Sequence, residues 1–475
     1  MNFYFEAAKI LDRLDAKEGS IKGVIANLPE KDRRRTAALV IETLKYRIVL
    51  KDVITVAGLL KQERVIKSPS LAHVLVHDLL LAPGGIQAGD GPIKQAVLRH
   101  KTRLHGELQK LKIKRGVRSN AELALSVDDR PGKTALSLLS CLWVTPGQIP
   151  RYARVNTILW STEEAIQWYI SNGYILRKSV EDDKSFCKDK HIADLLLFPC
   201  ETSFHQDPNY IGGKIILQDK ASCFPAVVLG PPCGEDAVVI DATAAPGNKT
   251  SHLCALMHNK GKLYAFERDK KRFATLKHML EKANCCNVEA LNVNFLNVDP
   301  NDPRFCSATH ILLDPSCSGS GIINRLDHLL ETELDKDGNE ERLHKLASFQ
   351  KMMLKHAMTF PNVTSIVYST CSVHAIENEH VVQAVLDSEE AKVGNFTLAP
   401  RNEVLPTWQR RGLNGHLSDP VHTASLVRCV PGEDGTNGFF VACFVKAKNV
   451  REWKPKGLRA VDEFSANQPR KKRRV

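Results

Sequence analysis

Between Ala237 and Val445 short apolar runs alternate with segments of helical spacing, and this alternation restricts the fold more than any other feature of the chain. Ala237-Val238-Val239-Ile240-Asp241 reads as a buried strand, residues 249–258 as a helix, 262–267 as a strand and 270–283 as a helix. The pattern continues with strands at 309–314 and 365–369, a helix at 343–360 between them, and a last buried strand at 438–445. Strands separated by helices pair in parallel through right-handed crossovers, which predicts a doubly wound α/β sheet whose ligands sit at the carboxyl ends of the strands. Residues 331–342, acidic and containing Asp337-Gly338-Asn339, interrupt the alternation and are expected to form a mobile loop, either a lid or a tolerated surface insertion.

Upstream the spacing changes. Over residues 2–115 apolar side chains recur every three or four positions, as at Ala7, Ile10 and Leu11, at Ala38, Leu39, Val40 and Leu44, and at Leu71, Val74, Leu75, Leu79 and Leu80. That predicts a helical leading unit. Pro83-Gly84-Gly85 and residues 89–92 break it before a basic helix, and Pro131-Gly132 with Pro146-Gly147 mark a linker. Residues 151–157 and 214–217 read as short strands and 162–172 as a capped helix, a small α+β module. A length of 475 residues admits about three such units, with expected limits of 1–120 (helical), 150–230 (α+β) and 231–447 (α/β), then a basic, disordered tail at 448–475.

Charge narrows the partners. Residues 94–118 hold nine Lys or Arg against the single acid Glu107, and residues 451–475 hold nine against three, so these two patches outweigh the chain's net charge of +12 and leave the rest slightly acidic. A concentrated patch suits phosphate backbones, although a solvated helix face reads similarly. The ending Pro469-Arg470-Lys471-Lys472-Arg473-Arg474-Val475 has the composition of a nuclear import address or an RNA-binding tail. The richest apolar stretch, 71–82, is broken by His73, His77 and Asp78, so no membrane span is expected, and the N-terminus does not read as a secretory signal. Thirteen cysteines without a Cys-x-x-Cys pair argue against both a disulfide framework and a structural zinc; no metal is expected.

The residues at the strand ends carry the chemistry. After the first strand comes Asp241-Ala242-Thr243-Ala244-Ala245-Pro246-Gly247-Asn248-Lys249-Thr250, whose small side chains let a ligand approach the backbone. A phosphate-cradling loop would need glycines where Thr243 and Asn248 stand, and a dinucleotide fingerprint would need three where only Gly247 is present. A cofactor without phosphates fits better. Glu267 ends the second strand, where a carboxylate takes ribose hydroxyls. Asp314-Pro315-Ser316-Cys317-Ser318-Gly319-Ser320-Gly321 and Ser369-Thr370-Cys371-Ser372 end the next two, so two cysteines converge on one edge. A strand-end thiol near helix N-termini is expected to have a lowered pKa and to act as a nucleophile, and nothing in the sequence ranks Cys371 against Cys317.

These three segments, with Glu377-Asn378-Glu379 and the upstream Arg154-Val155-Asn156-Thr157 and Gln218-Asp219-Lys220-Ala221-Ser222, resemble the NOL/NOP/Sun family of RNA cytosine-5 methyltransferases, and most closely its fifth Sun-domain branch. The resemblance spans residues 151–446 and implies a Rossmann-like methyltransferase core using S-adenosyl-L-methionine. It implies that Thr243, Ala244, Ala245, Pro246, Gly247, Asn248 and Lys249 wrap the cofactor, that Glu267 holds its ribose, and that Arg272 and Asp314 complete the site. It also makes Cys371 the nucleophile and Cys317 the residue that assists product release. Asn294 departs from the family, where many members place an acid near the adenine.

The implied reaction forms 5-methylcytosine in large-subunit ribosomal RNA, on free RNA or a pre-ribosomal particle, in the nucleus and nucleolus. Carbon 5 of cytosine is a poor nucleophile, so the Cys371 thiolate is expected to add at carbon 6 while Asp314, with a raised pKa in a water-poor pocket, stabilises the protonated pyrimidine edge. The α+β module and the helical unit would contact RNA or partners. The alternative is a non-catalytic RNA-binding ribosome assembly factor on the same fold.

Overall fold

A computed structural model describes residues 2–123, apart from residues 17, 20, 27 and 29, together with residues 149–322 and 336–447. The expected linker at 131–132 and 146–147 and the basic tail at 448–475 lie outside the described residues. The chain divides into two compact units, Met1–Val144 with Ile323–Glu340, and Thr145–Ile322 with Glu341–Val475.

The first unit is helical, and its core is the apolar set that helical spacing picks out. Asn2–Asp15, Glu30–Lys45 and Pro69–Leu81 pack around Leu11, Val40, Val74 and Leu75. Tyr4 is fully buried and keeps its polar end satisfied by donating to Asp78 Oδ2 at 2.6 Å, and burial together with that carboxylate raises its pKa. The basic segment is two helices, Pro92–Arg99 and Lys101–Arg115, broken at His100. Several of its cations are already paired, among them Lys94 with Asp90, Arg99 with Glu63, Lys110 with Glu107 and Arg115 with Asp52. Folding therefore moderates the charge that the linear count suggests.

The second unit contains two sheets. In the first, β1 (Arg151–Val155), β2 (Ile175–Leu176), β3 (Ser185–Lys188), β4 (Leu195–Phe198) and β5 (Ile215–Leu217) lie in the order β2-β3-β4-β1-β5. The helix Thr162–Ser171 covers this sheet; its start is fixed by a reciprocal Ser161–Glu164 cap and its inner face by Tyr169 against Phe186 and Phe198.

The larger sheet comprises β6 (Val238–Asp241), β7 (Lys262–Phe266), β8 (Val288–Leu291), β9 (His310–Leu313), β10 (Ser365–Thr370), β11 (Phe396–Leu398), β12 (Val427–Cys429) and β13 (Phe439–Lys446). Its order is β11-β13-β10-β9-β6-β7-β8, with β12 also on β13. The five strands from β6 to β10 are parallel, and β13 is inserted antiparallel beside β10. Both faces are covered. Ile311, Leu313, Ile366, Tyr368, Phe440 and Phe444 enter one core, and Leu312, Val367, Val441, Cys443 and Val445 the other. This two-sided burial is why the strands read as unbroken apolar runs. The chain order reverses between β6 and β9, which opens a crevice at their carboxyl ends.

Two expectations change. Of the loop expected at 331–342, residues 331–335 lie outside the described residues, but the helix Lys336–Met358 begins well inside it. Glu340 and Glu341 near the start of that helix suit its positive end and work against the turn signal of Gly338-Asn339. The strands β8, β11 and β12 were not anticipated, being only three or four residues long.

Candidate active site

The loop that follows β6 is held from within. Asp241 is buried and accepts from Thr250 Oγ1 at 2.8 Å and from the Thr243 amide at 3.3 Å; burial raises its pKa to about 6. Ala244 and Ala245 are buried, Pro246 is exposed, and Gly247 turns the chain at φ 114 into the helix Asn248–Leu256. A Cβ on Gly247 would stand 3.2 Å from Met279 Cβ and 3.3 Å from Leu276 Cδ1, so backbone geometry and packing both call for glycine.

At the end of β7, the buried Glu267 accepts from the Asp269 amide at 2.8 Å, and Arg272 lies 3.5 Å from its other oxygen. Arg272 also donates to the Ala245 carbonyl at 2.7 Å, tying the β6 loop to the β7 carboxylate. Asn292, which the sequence did not single out, donates to the Glu267 carbonyl at 2.7 Å and joins the ends of β7 and β8. The Asn294 side chain caps the short 3-10 turn Phe295–Asn297 through Leu296 N.

Asp314 follows β9. Its amide donates to Thr243 Oγ1 at 2.8 Å, Lys249 Nζ lies 2.8 Å from Oδ2, and the Ser369 hydroxyl donates to Oδ1 at 2.7 Å. Lys249 and Ser369 thus occupy both carboxylate oxygens of Asp314. Burial works against the charge on Lys249, but Asp314 outweighs it and raises the ammonium's pKa; the same ammonium reaches Ser222 Oγ at 3.1 Å. Lys249, expected on the cofactor, thus points to Asp314.

The two cysteines meet. Cys317 Sγ lies 3.0 Å from Cys371 Sγ. Their loops are joined by the Gly321 amide donating to the Cys371 carbonyl at 2.9 Å and by a hydroxyl cluster of Ser318, Ser320 and Ser372. A Cβ on Gly321 would run into the Gly438 carbonyl. The expected lowering of a thiol pKa does not hold for Cys317: its hydrogen bond to Cys371, burial and the nearby Asp314 and Glu377 charges push it well above the usual thiol range.

Comparison with known proteins agrees with this arrangement. Residues 226–445 match a model described as 16S rRNA methyltransferase RsmB/F, residues 34–124 the N-terminal domain of NOL1/NOP2/Sun domain family member 5, and residues 149–218 that member's ferredoxin-like domain. The chain is 43% identical to the 25S rRNA (cytosine-C(5))-methyltransferase of Schizosaccharomyces pombe over 93% of its own length and 91% of the relative's. It belongs to the NOL1/NOP2/Sun family. This NOL1/NOP2/Sun protein is also 40% identical to the 28S rRNA (cytosine-C(5))-methyltransferase of Mus musculus, over 100% of its length and 97% of the relative's. Among solved structures it resembles a methyltransferase homolog from Pyrococcus horikoshii with a TM-score of 0.52 and 26% identity, covering 71% of this chain and 98% of that one. The family member described here is an RNA cytosine-5 methyltransferase, and its cofactor is S-adenosyl-L-methionine.

The residues present fit that cofactor. The loop offers two buried alanines and a glycine rather than a phosphate cradle, Glu267 supplies a fixed carboxylate, and Asn248 Oδ1 is a buried acceptor with no partner among the described residues. Behind the loop stands Arg154, the largest fully buried side chain. Its Nε donates to Gln218 Oε1 at 2.8 Å and its Nη2 to Ser251 Oγ at 2.9 Å and the Asn248 carbonyl at 3.3 Å. The two upstream sequence motifs therefore brace the loop after β6 in this NOL1/NOP2/Sun protein.

Proposed function

We propose that this protein forms 5-methylcytosine in large-subunit ribosomal RNA through a covalent cysteine adduct. The observation that carries the reading is the 3.0 Å approach of Cys317 and Cys371, on loops directly beside the Thr243–Asp314 contact. The relatives of 43% and 40% identity, named for 25S and 28S rRNA, support the substrate class. S-adenosyl-L-methionine, when bound, supplies an electrophilic methyl group. Thr243, Ala244, Ala245, Pro246, Gly247 and Asn248 would line it, with Glu267 at its ribose; Lys249 and Arg272 would hold the walls.

Cys371 is the nucleophile in this reading. A Cys317 held as a thiol donates to Cys371 Sγ, and Cys371 adds to carbon 6 of the ring, which raises electron density on carbon 5. Asp314, beside Lys249, would stabilise the protonated pyrimidine edge. Once Cys371 is bonded to carbon, the hydrogen bond that does most to raise the Cys317 pKa is gone and its proton passes to water. Once carbon 5 bears the methyl group, the Cys317 thiolate takes the carbon-5 proton. The C–H electron pair closes the ring double bond, and the sulfur–carbon pair returns to Cys371 as thiolate.

The target base must leave its stack to reach the crevice. The small α+β sheet and the basic helices would hold the surrounding phosphates, including those of a pre-ribosomal particle, in the nucleus or nucleolus, with the basic tail as an import address or a further RNA contact. Bisulfite sequencing of ribosomal RNA from cells with the intact protein, with Cys371→Ala or with none is the test. Loss of the same 5-methylcytosine in both defective lines is expected. No change at any cytosine would overturn the ribosomal assignment and favour an assembly factor without turnover.

A further inference from the structure

The proposed reaction does not use Gln350, yet this residue is placed where it controls Cys317. It lies within the helix Lys336–Met358 and is fully buried. Its Nε2 donates to the Ser316 carbonyl at 3.1 Å and to Glu377 Oε1 at 3.0 Å, so both amide hydrogens are used. Glu377 Oε1 in turn accepts from the Ser318 amide at 2.9 Å. The Tyr368 hydroxyl shares its one proton between the Glu377 carbonyl at 2.6 Å and Gln350 Oε1 at 3.0 Å.

The Ser316 carbonyl and the Ser318 amide belong to the two peptide groups on either side of Cys317. One amide and one carboxylate thus fix both flanks of a single cysteine, and Tyr368, three residues before Cys371, anchors the same pair to the strand that leads to the nucleophile. Ser316 itself is exposed. We propose that Gln350, acting through Glu377, is the positioning residue that holds Cys317 against Cys371, and that losing it slows release of methylated RNA more than formation of the adduct.

The inference rests on the reading that Cys317 serves release, and the experiment separates the two. Purified full-length Cys317→Ala, Gln350→Met and Gln350→Leu proteins are incubated with S-adenosyl-L-methionine and large-subunit RNA from cells lacking the enzyme. Covalent protein–RNA complex is read on denaturing gels, and methylation is followed through the first turnover and beyond. Gln350→Met keeps the length of the side chain and removes the paired donors. Gln350→Leu also removes both donors, with a smaller side chain, and serves if the first variant unfolds.

Cys317→Ala is expected to accumulate complex. The Gln350 variants are expected to accumulate it several-fold above wild type, with a first turnover near normal and later turnovers slower by about tenfold to a hundredfold, the usual consequence of displacing a reacting group by about 1 Å. Accumulation in Cys317→Ala but not in a folded Gln350 variant would overturn the positioning role and leave the release reading intact. Absence of accumulation in Cys317→Ala would overturn both, and equal losses in first and later turnovers of the Gln350 variants would reduce Gln350 to a structural role.

Discussion

Asp241→Asn should make the second unit more resistant to unfolding at neutral pH, and the size of the gain can be worked out. In the folded chain Asp241 keeps its proton up to about pH 6, against 3.8 for an ordinary aspartate. Between those values the folded state binds more protons than the unfolded one, so stability is full below the lower value and falls as pH rises through the upper. The full penalty is about 3 kcal/mol at 1.36 kcal/mol per pH unit, and about 2 kcal/mol of it develops between about pH 4.5 and pH 7. Asparagine removes the charge at little cost in hydrogen bonds. Its oxygen accepts from the Thr243 amide, and its nitrogen donates to Thr250, whose own hydroxyl proton turns to the Ala244 carbonyl at 3.2 Å. Urea unfolding at several pH values, followed by the fluorescence of Trp160, Trp168 and Trp408, gives the difference between variant and wild type, in which all other titrations cancel. A difference that stays constant within about 0.5 kcal/mol across this range would refute the argument that burial dominates at Asp241.

Gly247→Ala places a Cβ at φ 114 against Met279 and Leu276, and should cost about 1–3 kcal/mol and weaken S-adenosyl-L-methionine binding, measured by calorimetry. Lys249→Met leaves Asp314 unpaired and should destabilise the fold by about 3 kcal/mol, the low end for a buried pair because Asp314 is 27% exposed. The raised Lys249 pKa means that the pair's contribution is full below about pH 10.5 and lost only above it, so the deficit in unfolding midpoint should be constant at neutral and mildly alkaline pH. Arg428 binds Glu379 through two contacts of 2.6 Å with both residues buried; Arg428→Met should cost about 3–5 kcal/mol, and adding Glu379→Met should recover much of it in chemical denaturation.

The central strands were legible because both of their faces are covered, which leaves no polar alternation to mask the apolar runs of β9, β10 and β13. The converging cysteines were legible for a related reason, since parallel strands deliver the residues after them to one edge. β12 was not, because Arg428 sits in its middle and looks exposed until Glu379, forty-nine residues earlier, is brought against it. The same holds for the basic helices, whose Arg99 and Arg115 find Glu63 and Asp52 at separations of 36 and 63 residues. Gln350 carries no local signal at all: an amide in a long helix has no meaning until the Ser316 carbonyl and Glu377 meet it. The partner of Lys249 was not legible either, because its long side chain reaches across to Asp314 after β9.

The strand β10, which leads to Cys371, has β9 on one edge and β13 on the other, and β13 pairs with six successive residues of β10 from Ser365 to Thr370. During synthesis β10 leaves the ribosome about seventy residues before that partner exists, with one edge open and its apolar side chains uncovered. Activity therefore waits for a strand made well after the sheet that it completes. A nonsense codon before Phe439 would release a sticky intermediate rather than a slow enzyme, and the same dependence makes β13 a natural place to split the protein into halves that work only when rejoined.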